Sequence, residues 1–163
     1  MNDFFYNPTK GKVSWGNLSG EIREFILTDS QSTYKLIIGS DSRSKRRQDK
    51  MDIDLVTAIV IHRKGRGGRY FWNKKIIRNI YSLKEKLYQE TMASLATAEK
   101  LLGILKEDLN GQFKVLEIHI DIGKNGPSRE MIQELVGMVA GNGFAAKIKP
   151  AAYAASSVAD KYT

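Results

Sequence analysis

The chain has no cysteine among its 163 residues, and it has only three prolines and two tryptophans. Without cysteine, the fold can contain neither disulfides nor thiolate metal sites. No segment approaches the roughly 18 uninterrupted apolar residues that a membrane-spanning helix needs. The first twelve residues, MNDFFYNPTKGK, lack the apolar centre of a secretory signal. These absences predict a cytoplasmic protein that does not enter a membrane.

The composition is otherwise that of an ordinary globular protein, with 42% hydrophobic and 27% charged residues. A chain of this length can form one complete hydrophobic core but not two large ones. We therefore expect a single domain over residues 1–163, in which residues 1–33 form an N-terminal extension packed on the remainder.

Positive charge is concentrated in one part of the sequence. The net charge is +8, and residues 43–78 contain twelve Lys or Arg against three Asp. A basic cluster of this size attracts polyanions and would give a salt-dependent affinity for nucleic acid. The alternative interpretation is a solvated hairpin whose lysines only keep the protein in solution.

The spacing of apolar residues predicts an ordered series of strands and helices. These are a short helix at 18–27, strands at 34–41, 55–62 and 69–77, a long helix at 82–105, a strand at 114–121, a helix at about 128–139, a strand at 145–149 and a helix at 151–162. A hairpin meander followed by alternating strands and helices predicts the α/β class. We expect a mixed five-stranded sheet with helices on both faces.

Acidic side chains occur at places where this sheet would present them to a ligand. Asp41 and Asp121 each follow a run of buried strand residues, and ligands collect beyond the carboxyl ends of parallel strands. Asp41 could equally begin a turn. Glu90 borders the apolar face of the long helix, where a carboxylate needs a partner. His119 lies in a strand and is expected to pack under a helix.

Carboxylates that converge in space repel one another, and a hard divalent cation relieves that repulsion. Mg²⁺ and Mn²⁺ are the natural candidates for an all-oxygen site. Two such ions, about 4 Å apart, can support phosphodiester hydrolysis without a cysteine or histidine nucleophile.

The order of the acidic residues resembles that of the ribonuclease H-like superfamily. Asp41 lies on the first predicted strand, Glu90 on the long helix, Asp121 at the end of the fourth strand and Asp160 on the last helix. More narrowly, three segments are similar to the YkuK-type bacterial family, whose members are largely uncharacterised. These segments are IGSDS at 38–42, HIDIGKNG at 119–126 and ASSVADK at 155–161.

The resemblance implies a ribonuclease H-like fold and a nuclease that uses two Mg²⁺ or Mn²⁺ ions on DNA or RNA. The implied catalytic and metal-binding residues are Asp41, Glu90, Asp121 and Asp160. The basic residues expected to bind nucleic acid are Arg43, Lys45, Arg46, Arg47, Lys64, Arg66 and Lys124. A basic turn at 43–47 distinguishes the chain from a typical ribonuclease H.

Two other functions stay open at the level of the sequence. One is a catalytically silent nucleic-acid-binding module, which keeps the basic surface and has lost metal-competent geometry. The other is a protein-interaction scaffold whose acidic residues are merely solvated.

Overall fold

A mixed β-sheet of seven strands forms the centre of the protein. The computed structural model describes residues 4–105 and 113–163. The strands are β1 (Phe4–Asn7), β2 (Gly11–Ser14), β3 (Tyr34–Arg47), β4 (Lys50–Arg63), β5 (Gly68–Ile80), β6 (Phe113–Ile120) and β7 (Ala145–Lys147). Across the sheet their order is β2-β1-β5-β4-β3-β6-β7.

In the described residues, three α-helices and three shorter helical segments connect or flank these strands. The α-helices are α1 (Trp15–Leu27), α2 (Leu83–Leu105) and α3 (Ile132–Gly141). A 3-10 turn at Arg129–Met131 precedes α3. The chain ends in a π-helical segment (Ala154–Ala159) and a 3-10 turn (Asp160–Tyr162), which we call the C-terminal helix, residues 154–162. None of the helices in the described part of the chain is long and apolar enough to cross a membrane.

The prediction of a mixed α/β architecture is confirmed, but the prediction of five strands is wrong. The five predicted strands correspond to β3–β7. Strand β4 is antiparallel to both of its neighbours, β3 and β5. Strand β6 is parallel to β3, and β7 is parallel to β6. The two additional strands come from the N-terminal residues, where β1 pairs with β2 and with the edge of β5. Each is only four residues long. Such short strands give too little alternation to be recognised in the sequence.

The prediction that β3 ends at Asp41 is also wrong. This strand continues through Arg47, and Asp41 lies within it, paired with Val56 of β4. The residues 43–47, predicted as a basic turn, are therefore the end of a strand. The polar sequence SRSKRR gave no apolar signal, but it is extended because β4 pairs with it residue by residue.

The two faces of the sheet are covered by different elements. The α1, α2 and α3 side chains pack on one face in a continuous core that includes Leu36, Ile38 and Ile118. The C-terminal helix covers part of the other face, where Ala154 packs against Ile37. Helices therefore lie on both faces, as predicted. Alternate residues of β3 thus point toward α2 or toward the C-terminal helix.

Candidate functional site

The pairing of β3 with β6 places Asp41 and Asp121 side by side. These two parallel strands pair as far as Ser40 and Ile120, and the next residue of each strand is an aspartate. Neighbouring strands lie about 4.8 Å apart. Asp41 is 9% exposed and the side chain of Asp121 is 19% exposed. The register thus brings two poorly solvated carboxyl groups to one edge of the parallel pairing.

Helix α2 adds Glu90 to these aspartates. Glu90 is 4% exposed, because it lies on the side of α2 that carries the apolar residues and faces the sheet. Its Oε1 atom accepts a hydrogen bond from the Ser42 hydroxyl at 2.6 Å. The same oxygen accepts a second one from Lys86 Nζ at 2.8 Å, one helical turn earlier. Glu90 is therefore held in place by β3 and by its own helix.

The pKa of Asp41 reflects both its burial and the negative charges near it. Burial, together with the negative charges of Glu90 and Asp121, raises the pKa of Asp41 from 3.8 to about 7. The positive charge of Lys86 opposes this rise without cancelling it. Burial also raises the pKa of Glu90, to which the Asp121 charge contributes. Like-charge repulsion of this kind is typical of functional carboxylates.

A second lysine enters the cluster from the loop that follows β7. Lys149 Nζ lies 2.9 Å from Asp121 Oδ1. This contact, and more weakly the charges of Asp41 and Asp160, raise the pKa of Lys149. The exposed Asp160, in the last turn of the chain, thus contributes to the same field. All four acidic residues predicted from the sequence act on one region of the protein.

The donors fit a hard divalent cation in their chemistry, although their present geometry is that of ion pairs. All four are carboxylates, which Mg²⁺ and Mn²⁺ prefer. In residues 4–105 and 113–163, no three Asp, Glu or His side chains converge closely enough to enclose an ion. Instead, the ammonium groups of Lys86 and Lys149 lie against Glu90 and Asp121. Each of these two carboxylates is thus already paired with a positive charge, at 2.8 Å for Glu90 and 2.9 Å for Asp121.

Buried hydroxyl groups fix β3 against α2 just below the acidic residues. The Ser40 hydroxyl is within 2.8 Å of both the Thr57 and the Ser94 hydroxyl groups. Buried polar groups that satisfy one another in this way define a single arrangement of the elements that carry them. The position of α2, and with it of Glu90, relative to β3 is therefore set by a polar contact layer between strand and helix.

His119 lies on the face of the sheet that the C-terminal helix covers, and it attaches this helix to β6. Its Nδ1 accepts a hydrogen bond from the Ala154 backbone N–H at 3.1 Å, and its Nε2 is 3.0 Å from Glu117 Oε2. The ring is 1% exposed, and burial lowers its pKa. A neutral imidazole with its proton on Nε2 satisfies both contacts. His119 therefore supports the helix that carries Asp160.

The predicted nucleic-acid-binding residues fall into two separate groups. Arg43, Lys45, Arg46 and Arg47 are exposed on the part of β3 that extends beyond Asp41, which we call the basic arm (residues 43–47). Two of them are paired with buried aspartates of β4, Lys45 with Asp54 at 3.0 Å and Arg47 with Asp52 at 3.3 Å. These contacts hold the arm in line with the sheet.

The structure does not bring Lys64 and Arg66 near the basic arm. Both lie in the turn between β4 and β5, next to the beginning of β3, where Arg63 pairs with Tyr34. That end of the sheet is about 23 Å of strand away from Asp41 at the usual rise per residue. Arg66 is paired with Asp29 at 3.2 Å. Lys124, by contrast, is exposed in the loop three residues after Asp121.

Sequence reasoning missed Ser42, Lys86 and Lys149. Ser42 and Lys86 had usable signals, because one lies beside Asp41 on the strand and the other lies four residues before Glu90 on the helix. Lys149 had none. It is 28 residues from Asp121 in sequence, and only the parallel pairing of β6 with β7 brings the loop after β7 to the same edge.

Comparisons with known proteins confirm the predicted family resemblance. The chain is 34% identical over 172 aligned residues to the uncharacterized protein YkuK of Bacillus subtilis (strain 168), an alignment that covers 98% of this chain and 96% of that protein. No solved structure matches the chain. The model of the ribonuclease H-like family matches residues 17–163, which include every acidic residue of the cluster. The chain therefore belongs to the ribonuclease H-like family.

Proposed function

We propose that the protein is a divalent-metal-dependent nuclease that hydrolyses phosphodiester bonds of DNA or RNA. The observation that supports this proposal is that Asp41, which is buried, and Asp121 follow directly on paired residues of β3 and β6. Burial and the negative charges of Glu90 and Asp121 raise the pKa of Asp41 to about 7. A folded protein has no structural need for three neighbouring carboxylates with so little solvent. A divalent cation would convert their repulsion into binding energy.

The residues of the chain have distinct roles in this reaction. Asp41 and Asp121, adjacent through the strand register, would hold Mg²⁺ or Mn²⁺, with Glu90 and Asp160 completing the carboxylate set. When bound, the metal lowers the pKa of a coordinated water and offsets the charge that develops on the phosphate oxygens. Ser42 fixes the Glu90 carboxylate through the hydrogen bond described above.

The basic arm would hold the nucleic-acid backbone beside the carboxylates. Arg43 is two residues after Asp41 on the same strand, so its side chain emerges on the same face of the sheet. Lys124 lies at the other side of the cluster, after Asp121. Phosphate contacts from such residues orient a strand without reading its sequence.

The test is Mn²⁺-dependent cleavage of fluorescently labelled single- and double-stranded DNA, RNA and hybrid substrates. We expect the wild-type protein to cleave at least one of them, and Asp41→Asn and Asp121→Asn each to reduce the rate by about 10³-fold or more. Both variants should keep the wild-type affinity for nucleic acid. The matched control is Asp49→Asn, an exposed aspartate in the β3–β4 turn, which should cleave normally. Absence of cleavage on every substrate would contradict the proposal.

A second candidate function is a catalytically silent nucleic-acid-binding module. The observation that favours it is that Lys86 and Lys149 already neutralise Glu90 and Asp121. Such a protein would bind nucleic acid through the basic arm with equal affinity in Mn²⁺ and in EDTA. Its Asp41→Asn variant would have no cleavage to lose. The same substrate panel therefore separates the two candidates.

A further inference from the structure

The two lysines of the acidic cluster differ in how firmly they are held. Lys86 is 17% exposed and its partner Glu90 is 5% exposed. Both lie on α2, one turn apart, so the helix itself sets their separation. Lys149 is 51% exposed and extends from a loop to reach Asp121. The ammonium group of Lys149 can move into water at little cost, whereas that of Lys86 cannot leave without burying an unpaired Glu90 carboxylate.

Two hydrogen bonds to Glu90 Oε1 leave this oxygen with little room to bind a metal ion as well. Glu90 Oε1 accepts a hydrogen bond from Ser42 and another from Lys86. A metal that bound this oxygen would have to displace a buried hydroxyl group and a buried ammonium group together. No comparable obstacle exists at Asp121, where one half-exposed lysine is the partner.

The balance of charge leads to the same conclusion. Four carboxylates carry at most four negative charges, and the ammonium group of Lys86 offsets one of them. With Lys149 moved into water, one divalent ion leaves a net charge of about −1, which solvent and the nearby ammonium group of Lys149 can offset. A second ion would reverse the net charge to about +1 in a poorly solvated region, which is unfavourable while Lys86 remains.

We infer that the Lys86 ammonium group takes the place of one metal ion of a two-ion site, so that the protein binds a single divalent ion, at Asp41 and Asp121. Lys149 is then an exchangeable counter-charge, which leaves Asp121 when the ion binds. This inference rests on the proposed metal site and specifies its stoichiometry. Lys86 acts as a positioning residue, because it fixes the charge and orientation of Glu90.

The experiment is titration of the full-length protein with Mn²⁺ by calorimetry, with the electron paramagnetic resonance spectrum as a second measurement. We expect one ion per chain in the wild type and no spin coupling between ions. In Lys86→Gln, which keeps the length of the side chain but not its charge, we expect two ions per chain and the coupled spectrum of ions about 4 Å apart. Lys86→Arg keeps the positive charge and changes the shape of the side chain. This variant should bind one ion, which separates the effect of charge from that of packing.

Two further variants complete the design. In Lys149→Gln the single ion should bind roughly two- to fivefold more tightly, because it no longer competes with an ammonium group. Lys84→Gln is the matched control, since Lys84 lies on the same helix, is 63% exposed and pairs with Glu134 rather than with the cluster. It should bind one ion with wild-type affinity.

The outcomes separate this inference from the proposed function. Two ions in the wild type, or one ion in both the wild type and a folded Lys86→Gln variant, would overturn the role of Lys86 and leave the metal site standing. No Mn²⁺ binding in the wild type or in either glutamine variant of Lys86 and Lys149 would overturn the metal site and the inference together. Circular dichroism of each variant establishes that it is folded.

Discussion

The carboxyl group of Asp41 makes the stability of the protein depend on pH in a direction unusual for an aspartate. Its pKa is raised from 3.8 to about 7 by burial and by Glu90 and Asp121. Between these pH values the folded chain keeps a proton that the unfolded chain has lost. The stability that Asp41 contributes is therefore complete below pH 4 and is lost as the pH rises through 7.

We expect Asp41→Asn to stabilise the metal-free protein, and to do so more at high pH. The amide has no charge to bury, so the variant avoids the cost that wild-type Asp41 incurs when it ionises. The gain in the free energy of unfolding should be at most about 1.5 kcal/mol at pH 5 and at most about 4 kcal/mol at pH 8, where the whole shift of about three pKa units counts. Urea unfolding in EDTA at both pH values measures it.

Asp49→Asn is the control for this effect, because Asp49 is exposed in the β3–β4 turn. Its free energy of unfolding should follow that of the wild type at both pH values. If Asp41→Asn were instead less stable than the wild type at pH 8, the carboxylate of Asp41 would be a favourable buried charge, contrary to the electrostatics described above.

At the scale of elements, the C-terminal helix is held to the sheet by its last aromatic residue as well as by small apolar ones. The ring of Tyr162 stacks on Trp72 of β5, with centroids 4.2 Å apart and planes inclined by 13°. Its hydroxyl is 2.7 Å from that of Tyr70. These contacts lie two residues from Asp160, so they fix the part of the helix that carries this acid.

We expect Tyr162→Ala to reduce the free energy of unfolding by about 1–3 kcal/mol, through loss of the stacked pair and its hydrogen bond. Tyr162→Phe keeps the ring and should lose about 1 kcal/mol. Chemical unfolding followed by tryptophan fluorescence measures both. Tyr81→Ala is the control, because Tyr81 is 65% exposed. An unchanged stability in Tyr162→Ala would mean that the end of the helix is not anchored by this ring.

The elements that could be predicted from the sequence are those with long periodic signals. The long helix α2 and the position of Glu90 on its buried side followed from the recurrence of apolar residues. The strand before Asp121 was likewise recognisable from its aliphatic residues. The N-terminal hairpin and the polar half of β3 could not be predicted, because pairing with β5 and β4 determines them rather than local pattern.

The acidic residues of the candidate site could be predicted from the sequence, whereas its lysines were not predicted. Each aspartate followed a strand signal, whereas Lys149 reaches Asp121 only through the tertiary arrangement of β6 and β7. The sequence also suggested one continuous basic region over residues 43–78. Antiparallel strands of about 14 residues divide that region between opposite ends of the sheet, a separation that follows from the length of β4 alone.

At the scale of the whole molecule, only one of the two basic ends lies near the acidic cluster. The basic arm continues β3 past Asp41, while Lys64 and Arg66 lie at the far end. Replacing two basic residues by glutamate at one end or at the other therefore distinguishes local phosphate contacts from a general effect of net charge. The two double variants change the net charge equally.

We expect Arg43→Glu with Arg46→Glu to weaken binding of nucleic acid and to lower the slope of log K against log salt by roughly two, about 0.9 for each lost phosphate contact. Lys64→Glu with Arg66→Glu should change the slope much less. Fluorescence anisotropy between 50 and 200 mM salt, in EDTA, measures both. Equal losses in the two double variants would mean that net charge, rather than the arm, attracts the polyanion.

The edges of the sheet have a consequence for how copies of the protein avoid one another. The outermost strands, β2 and β7, have only four and three residues, which is too short to serve as a template for another chain. Between them, β1 is registered with β5 only at Tyr6 and Trp72, so the far part of β5 borders no strand of comparable length among residues 4–105 and 113–163. That part carries Lys74, Lys75 and Arg78, and lysine on an open strand discourages intermolecular pairing. We therefore expect part of the positive charge on this protein to disfavour edge-to-edge association, independently of any ligand.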